Sequence, residues 1–290
     1  MQGEPVDRVG CGEPLPHSTG HGHPRAHRCS PPYPCRVPRL PRDPFLRHEY
    51  DGVELRSYAT PHTPTGRTFV LLHGIGMSHH TFTRLAAALR GHGRVVAFDL
   101  AGFGANRPPR RSVGIADHAR FVEQALAERG VGRAVVVGHS MGSQIAVELA
   151  VRAPELVEGV VLIGPVVNPQ RPGAGRQGLA LARDTAAEPI GVDLLVLTDY
   201  LRGGIRWYLR QLPEMLHYPI EGRLAAVTAP VLVVRGHDDP VGSRDWCERL
   251  VACAADGRLL ELPASRHVVP RTEPEALARG ILRFTEGVPA

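Results

Sequence analysis

The sequence predicts an α/β fold, a parallel β-sheet covered by helices on both faces, and three observations carry that prediction. Short runs such as residues 134–137 and 160–163 are wholly apolar, as strands are when both faces of their sheet are buried. Segments with apolar residues at helical spacing lie between these runs. The alternation recurs along most of the chain, which is the pattern of parallel strands joined by crossover helices.

Taken in order, residues 1–44 are rich in Pro, Gly, His and Arg. Such a composition cannot bury enough apolar surface to offset the entropy of ordering, so a disordered extension is expected. It contains His17, His21, His23, His27, Cys29 and Cys35. Their spacings match no closed zinc motif, and no metal is expected there. Order is expected from Phe45. Residues 47–50 and 53–58 flank Asp51-Gly52, a short-hairpin signal. A strand over 68–72, a helix over 81–89, a strand over 94–98 and a helix over 116–129 follow. Next come a strand over 134–137, a helix over 143–152 and a strand over 160–163. The rhythm breaks between 168 and 223, where the pattern is helical and carries Leu194, Tyr200, Trp207, Tyr208 and Met215. A helical insertion inside a sheet protein suggests a lid over an active site. Alternation resumes with a strand over 231–234, a helix over 244–253, a strand over 258–262 and a helix over 275–285. The expected organisation is therefore an extension (1–44), a core (45–167 with 224–290) and a helical cap (168–223).

Composition bounds the function. At 290 residues the chain can bury one large core with an insertion. The net charge of +5 comes largely from arginines scattered among prolines before residue 48. Nucleic-acid binders cluster basic residues on an ordered element, so no nucleic-acid partner is expected. Lysine is absent, which excludes a lysine Schiff base and a phosphate-binding P-loop. Three of the five cysteines lie in the first 44 residues, where no signal-peptide core assembles. A cytoplasmic location with reduced thiols is expected. No apolar run approaches the roughly 20 residues of a membrane-spanning helix, so no membrane partner is expected. The sequence does not set the oligomeric state.

The strongest chemical signal is Gly138-His139-Ser140-Met141-Gly142. It follows a predicted strand and opens a predicted helix, the context that makes G-x-S-x-G a nucleophile elbow. A sharp turn strains the backbone at the serine, and side chains at 138 and 142 would collide across it. Ser140 is thus the candidate nucleophile. A serine hydroxyl needs a base, and in this topology the acid and then the histidine come later in the chain. After the strand at 231–234 stands Arg235-Gly236-His237-Asp238-Asp239-Pro240, with both aspartates placed at a strand's carboxyl end. After the strand at 258–262 stands Ser265-Arg266-His267, and His267 is the candidate base. His237, within the acid loop, is expected to face solvent or pack. An oxyanion hole requires two backbone N–H donors. Met141, after the nucleophile, supplies one; Ile75, in His73-Gly74-Ile75-Gly76-Met77-Ser78, supplies the other. His73 is expected to brace that loop.

These marks, with Asp99-Leu100-Ala101-Gly102-Phe103-Gly104 and with Glu273 and Pro274 downstream of His267, make residues 45–290 resemble the α/β-hydrolase superfamily. The resemblance implies a mostly parallel eight-stranded sheet, a helical cap and Ser–His–Asp catalysis without a cofactor. In sequences of this type the third residue after the glycine faces the histidine, which favours Asp239 over Asp238. Two positions depart from the pattern: Ala101 stands where proline is common, and Arg266 where glycine is more usual. Ser140 excludes the dehalogenases and epoxide hydrolases of the superfamily, whose nucleophile is aspartate.

The expected activity is hydrolysis of a small or medium ester, thioester or lactone, with a small-molecule substrate as the partner and no metal or cofactor. Tyr200, Trp207, Tyr208 and Met215 are the candidate apolar walls of the substrate pocket. Two alternatives stand beside it: carbon–carbon bond hydrolysis or cofactor-free perhydrolysis on the same triad, and a non-catalytic receptor or scaffold.

Overall fold

In the computed structural model, residues 45–60, 66–168, 204–263 and 265–288 are described. The expectations for residues 1–44 and for residues 169–203, Tyr200 included, fall outside them. Eight strands make one sheet: β1 Leu46–Tyr50, β2 Val53–Ala59, β3 Arg67–Leu72, β4 Gly93–Asp99, β5 Ala134–His139, β6 Val157–Ile163, β7 Val231–Gly236 and β8 Gly257–Leu262. Their order is β1-β2-β4-β3-β5-β6-β7-β8. The β1–β2 and β2–β4 pairs are antiparallel, and every other pair is parallel. Asp51 and Gly52 join β1 to β2 with φ of 52° and 71°, the two positive angles that a tight hairpin turn demands.

Alternate residues of each central strand enter opposite layers of the core. Phe69 and Leu71 of β3, with Val135 and Val137 of β5, pack on one face against Leu85 and Leu89 of α1 (Thr83–Leu89) and Leu277, Ile281 and Phe284 of α8 (Pro274–Glu286). Val70, Leu72 and Val136 pack on the other. There they meet Phe121 and Leu126 of α2 (Ile115–Glu128), Ile145 and Leu149 of α3 (Met141–Arg152), and Trp246 and Leu250 of α6 (Arg244–Cys253). Burial of both faces explains why these strands read as unbroken apolar runs. Each fully buried Leu or Val side chain contributes about 1.5–3 kcal/mol of hydrophobic stabilisation.

Two helices follow residue 203: α4 (Ile205–Leu216) and α5 (Ile220–Leu224). Their Trp207, Met215, Ile220 and Leu224 join the second core layer. Buried polar contacts add direction to this packing. His118 Nε2 of α2 donates to Gln211 Oε1 at 3.0 Å, and Gln144 Nε2 of α3 donates to the Met215 carbonyl at 2.9 Å. Glu148 of α3 accepts from the Tyr218 hydroxyl and from Nε and Nη2 of Arg223 at 2.8–2.9 Å.

Local structure departs from the sequence pattern where turn chemistry intervenes. The helix expected over 81–89 divides into a 3-10 turn, His79–Phe82, and α1, because the Ser78 side chain caps the first turn by accepting from the His80 N–H. The helix expected from 143 begins at Met141: it starts at the elbow, ahead of its first periodic apolar residue. The short α7 (Val269–Thr272) has no counterpart in the sequence reading, and α5 falls at the end of the segment read as helical without having been separated from it. Both are too short to display a period.

Candidate active site

Ser140 sits between β5 and α3 with φ 55° and ψ −120°, a conformation that costs a residue with a side chain about 1–3 kcal/mol. The surroundings enforce it. The Ser140 N–H donates to the Ile163 carbonyl of β6 at 2.9 Å, and the Ser143 hydroxyl donates to the Gly138 carbonyl at 3.0 Å. A Cβ at Gly138 would lie 2.2 Å from the Gly142 oxygen, and one at Gly142 2.0 Å from the Leu72 oxygen. The two glycines thus let the turn close against itself and against β3. α3 starts at Met141, so the positive end of its backbone dipole points at the serine.

The loop after β3 passes directly over this turn. A Cβ on Gly74 would stand 2.9 Å from Ser140 Cβ and 3.4 Å from its Oγ, so the backbone that leads into Ile75 touches the candidate nucleophile. His73 anchors the loop: its Nδ1–H donates to the Gly74 carbonyl at 2.8 Å, and its Nε2 accepts from the Leu100 N–H at 3.0 Å. Complete burial lowers its pKa to about 4, so the ring is neutral and braces rather than titrates. Asp99, at the end of β4, holds the loop's far side. Its Oδ1 accepts from the His79 N–H and Nδ1, each at 2.8 Å, and its Oδ2 from the Tyr58 hydroxyl at 3.0 Å. Burial alone would raise this carboxyl, but the His79 bonds and the neighbouring imidazoles hold it at about 2.

Asp239 and His267 lie in the loops after β7 and β8. Asp239 is buried and Asp238 exposed. Asp239 Oδ2 accepts from His267 Nδ1 at 3.0 Å, while Oδ1 accepts from the amides of Val241 and Gly242 at 2.7 and 3.0 Å. Burial opposes ionisation, but the His267 ring and these amides outweigh it and keep the carboxyl below the usual carboxylate range. A carboxylate on Nδ1 sets the tautomer that leaves the basic lone pair on Nε2. Gly164, with φ 52°, backs the pair: a Cβ there would lie 2.9 Å from His267 Nδ1 and 3.2 Å from Asp239 Oδ2. Asp238 instead uses its backbone, its N–H donating to the Ser265 carbonyl at 2.9 Å. His237 is exposed, with Nδ1 2.8 Å from Glu261.

The turn that carries Ser140 and the loop that carries His267 meet through His139. Its ring is buried, lies 5.0 Å from the His267 ring, and donates from Nε2 to the His267 carbonyl at 3.0 Å. Ser140, Asp239 and His267 thus all follow the carboxyl ends of parallel strands, at one edge of the sheet. Sequence reasoning gave His139 no part. Nor did it single out Met77 and Val268, which form a small apolar cluster of their own, one on the loop over Ser140 and the other beside His267. Their only sequence signal is adjacency to motif residues.

The residues proposed as pocket walls pack onto the body where they are described. Trp207 is buried, and its Nε1–H donates to the Ala101 carbonyl at 3.1 Å, with Phe103 6.3 Å away. Gly102, φ 74°, gives the indole its place: a Cβ there would fall 2.3 Å from Nε1. Met215 is buried and Tyr208 half-buried against the same core layer. Among the described residues no three His, Cys, Asp or Glu side chains gather to hold a metal, and no helix is long and apolar enough to cross a membrane.

Comparison with known proteins agrees with this architecture. Residues 67–195 match the family model described as the alpha/beta hydrolase fold. An uncharacterized protein of Mycobacterium tuberculosis is 30% identical over 228 residues, covering 76% of this chain and 70% of its own. A putative carbamate hydrolase of Variovorax paradoxus is 28% identical over 255 residues, covering 78% of this chain and 96% of its own. Among solved structures, the enol-lactonase from Burkholderia xenovorans superposes with a TM-score of 0.72 at 20% identity, over 83% of this chain and all of that one. With the matched family model and the shared fold, the chain belongs to the α/β-hydrolase superfamily, as an enzyme of the hydrolase type.

Proposed function

We propose that the protein is a serine hydrolase that cleaves a small or medium ester, thioester or lactone through an acyl-enzyme intermediate. The observation that carries this reading is the buried His267–Asp239 pair, 3.0 Å apart, at the same sheet edge as a serine held in a strained strand-to-helix turn. In the proposed reaction Ser140 Oγ attacks the carbonyl carbon while His267 Nε2 takes its proton. Negative charge collects on the former carbonyl oxygen, which accepts from the backbone N–H groups of Met141 and Ile75. The tetrahedral intermediate collapses, and His267 returns the proton to the departing alcohol or thiol. Water then repeats the sequence on the acyl-serine: His267 takes its proton, the acid leaves, and Ser140 recovers its hydrogen. Asp239 stays ionised and stabilises the imidazolium at each stage.

The substrate class draws support from the comparisons. One similar protein is named a putative carbamate hydrolase and a structure of the same fold an enol-lactonase, and carbamates and lactones, like esters, present a carbonyl carbon to a nucleophile. A panel of esters, thioesters and lactones of increasing acyl length tests the proposal. Turnover of at least one of them is expected, with a loss of about 10³-fold or more in Ser140→Ala. No turnover of any, or undiminished turnover in Ser140→Ala, contradicts it.

A further inference from the structure

Outside the three proposed catalytic side chains, His139 presents a buried ring bonded to the backbone of one of them. It is fully buried and belongs to the residue preceding Ser140. Its Nε2 lies 3.0 Å from the backbone oxygen of His267, 128 residues away. A carbonyl oxygen only accepts, so Nε2 carries the hydrogen and donates. Its Nδ1 has no partner among the described residues and faces the glycine loop, 3.5 Å from where a Cβ on Gly74 would stand. One imidazole thus adjoins the nucleophile in the chain, bonds to the backbone of the base and faces the glycine loop that leads to the proposed oxyanion donor.

We infer that His139 is a positioning residue, a neutral spacer that holds the His267 backbone at a fixed distance from the Ser140 turn. This rests on the serine-hydrolase reading above. The residue has no direct role in bond making; it acts through the place it gives His267. Neutrality is part of the role, because a second imidazolium 5.0 Å away would oppose charge on His267 when that ring accepts the serine proton. Burial, followed by the charge of His267 itself, lowers the His139 pKa to about 3, so the spacer stays neutral wherever the base can work. The hydrogen bond fixes orientation as well as distance, and displacement of a reacting group by about 1 Å can cost on the order of 10²-fold in rate.

The test uses the full chain, with fluorophosphonate labelling rate and p-nitrophenyl butyrate hydrolysis as readouts. A Gln side chain can place its amide nitrogen near the His Nε2 position, whereas Asn reaches only as far as Nδ1. His139→Gln is expected to stay within about fivefold of wild type in both rates. His139→Asn and His139→Leu are expected to fall about 10- to 100-fold in labelling rate and in kcat, with KM changed less than about threefold. Melting temperatures are measured alongside. If Leu will not fold, the comparison of Gln with Asn at matched stability decides the matter. Equal rates in Gln and Asn, or losses in rate that simply follow losses in melting temperature, overturn the proposal while leaving the triad intact. A wild-type chain that takes no label at Ser140 overturns the triad reading and the spacer with it.

Discussion

His267 Nδ1 lies 3.0 Å from Asp239 Oδ2, and the other oxygen of that carboxylate is claimed by two backbone amides. All three donors fix the carboxylate's orientation, so the histidine meets a rigid partner. Asp238, one residue earlier, is exposed. Asp239→Asn is therefore expected to lower kcat/KM by about 10³- to 10⁴-fold through the wrong imidazole tautomer. Asp238→Asn should stay within about threefold. Steady-state hydrolysis of p-nitrophenyl butyrate by the two variants measures both, and the reverse ranking contradicts the assignment.

Gly164 closes the back of this pair, and its replacement separates strain from contact. Gly164→Ala adds a Cβ 2.9 Å from His267 Nδ1 at φ 52°. Gly130→Ala adds one at φ 63° with nothing within 4 Å. Both should lose about 1–3 kcal/mol to backbone strain. Only Gly164→Ala should also lose activity, about 10²-fold per folded molecule, by displacing His267. Denaturant titration and activity normalised to folded protein check the two outcomes.

The buried histidines predict acid lability. Burial lowers His73 and His118 from 6.5 to about 4, and His139 to about 3. As pH falls below 6.5 the unfolded chain takes up protons that these native rings refuse, so stability falls with pH until about 4. Each ring contributes a slope of about 1.4 kcal/mol per pH unit within that window. Asp99, held at about 2, has its stabilising contribution in full above the ordinary carboxylate range and loses it only below that. Urea titrations at pH 7, 6 and 5 should show the falling stability. His118→Gln should reduce the slope by about one proton, because the amide can donate to Gln211 without titrating. An unchanged slope contradicts the assignment of His118 as buried and neutral.

Trp207 tests how α4 is fastened. Its indole fills the space that Gly102 leaves and donates to Ala101. Trp207→Ala should cost about 3–5 kcal/mol by leaving a cavity. Trp207→Phe should cost about 1–2 kcal/mol, since most of the ring volume stays while the Ala101 carbonyl loses its donor. Unfolding free energies of the two variants measure this, and equal values contradict it.

What the sequence made legible was whatever local chemistry forces. The two-sided burial of β3, β5 and β6 writes itself as apolar runs, and Asp51-Gly52 marks a hairpin because few other pairs accept two positive φ angles. The G-x-S-x-G turn is visible because its glycines are sterically required. What depends on distant contacts was not legible. His139 looks like any residue inside the motif until its Nε2 is seen against a carbonyl 128 residues away. Trp207 reads equally as pocket wall or packing, and its bond to Ala101 appears only with the fold. Asp99 stands in a glycine-rich motif, yet its link to His79 and Tyr58 follows from strand order, with β4 between β2 and β3.

Intact-mass measurement after exposure to a fluorophosphonate addresses the nucleophile most directly, because the reagent reports a serine alkoxide in place and needs no knowledge of the substrate. One adduct on the wild-type chain, on the peptide that contains Ser140, and none on Ser140→Ala is the predicted result. An adduct that persists in Ser140→Ala, or a wild-type chain of unchanged mass, would contradict it.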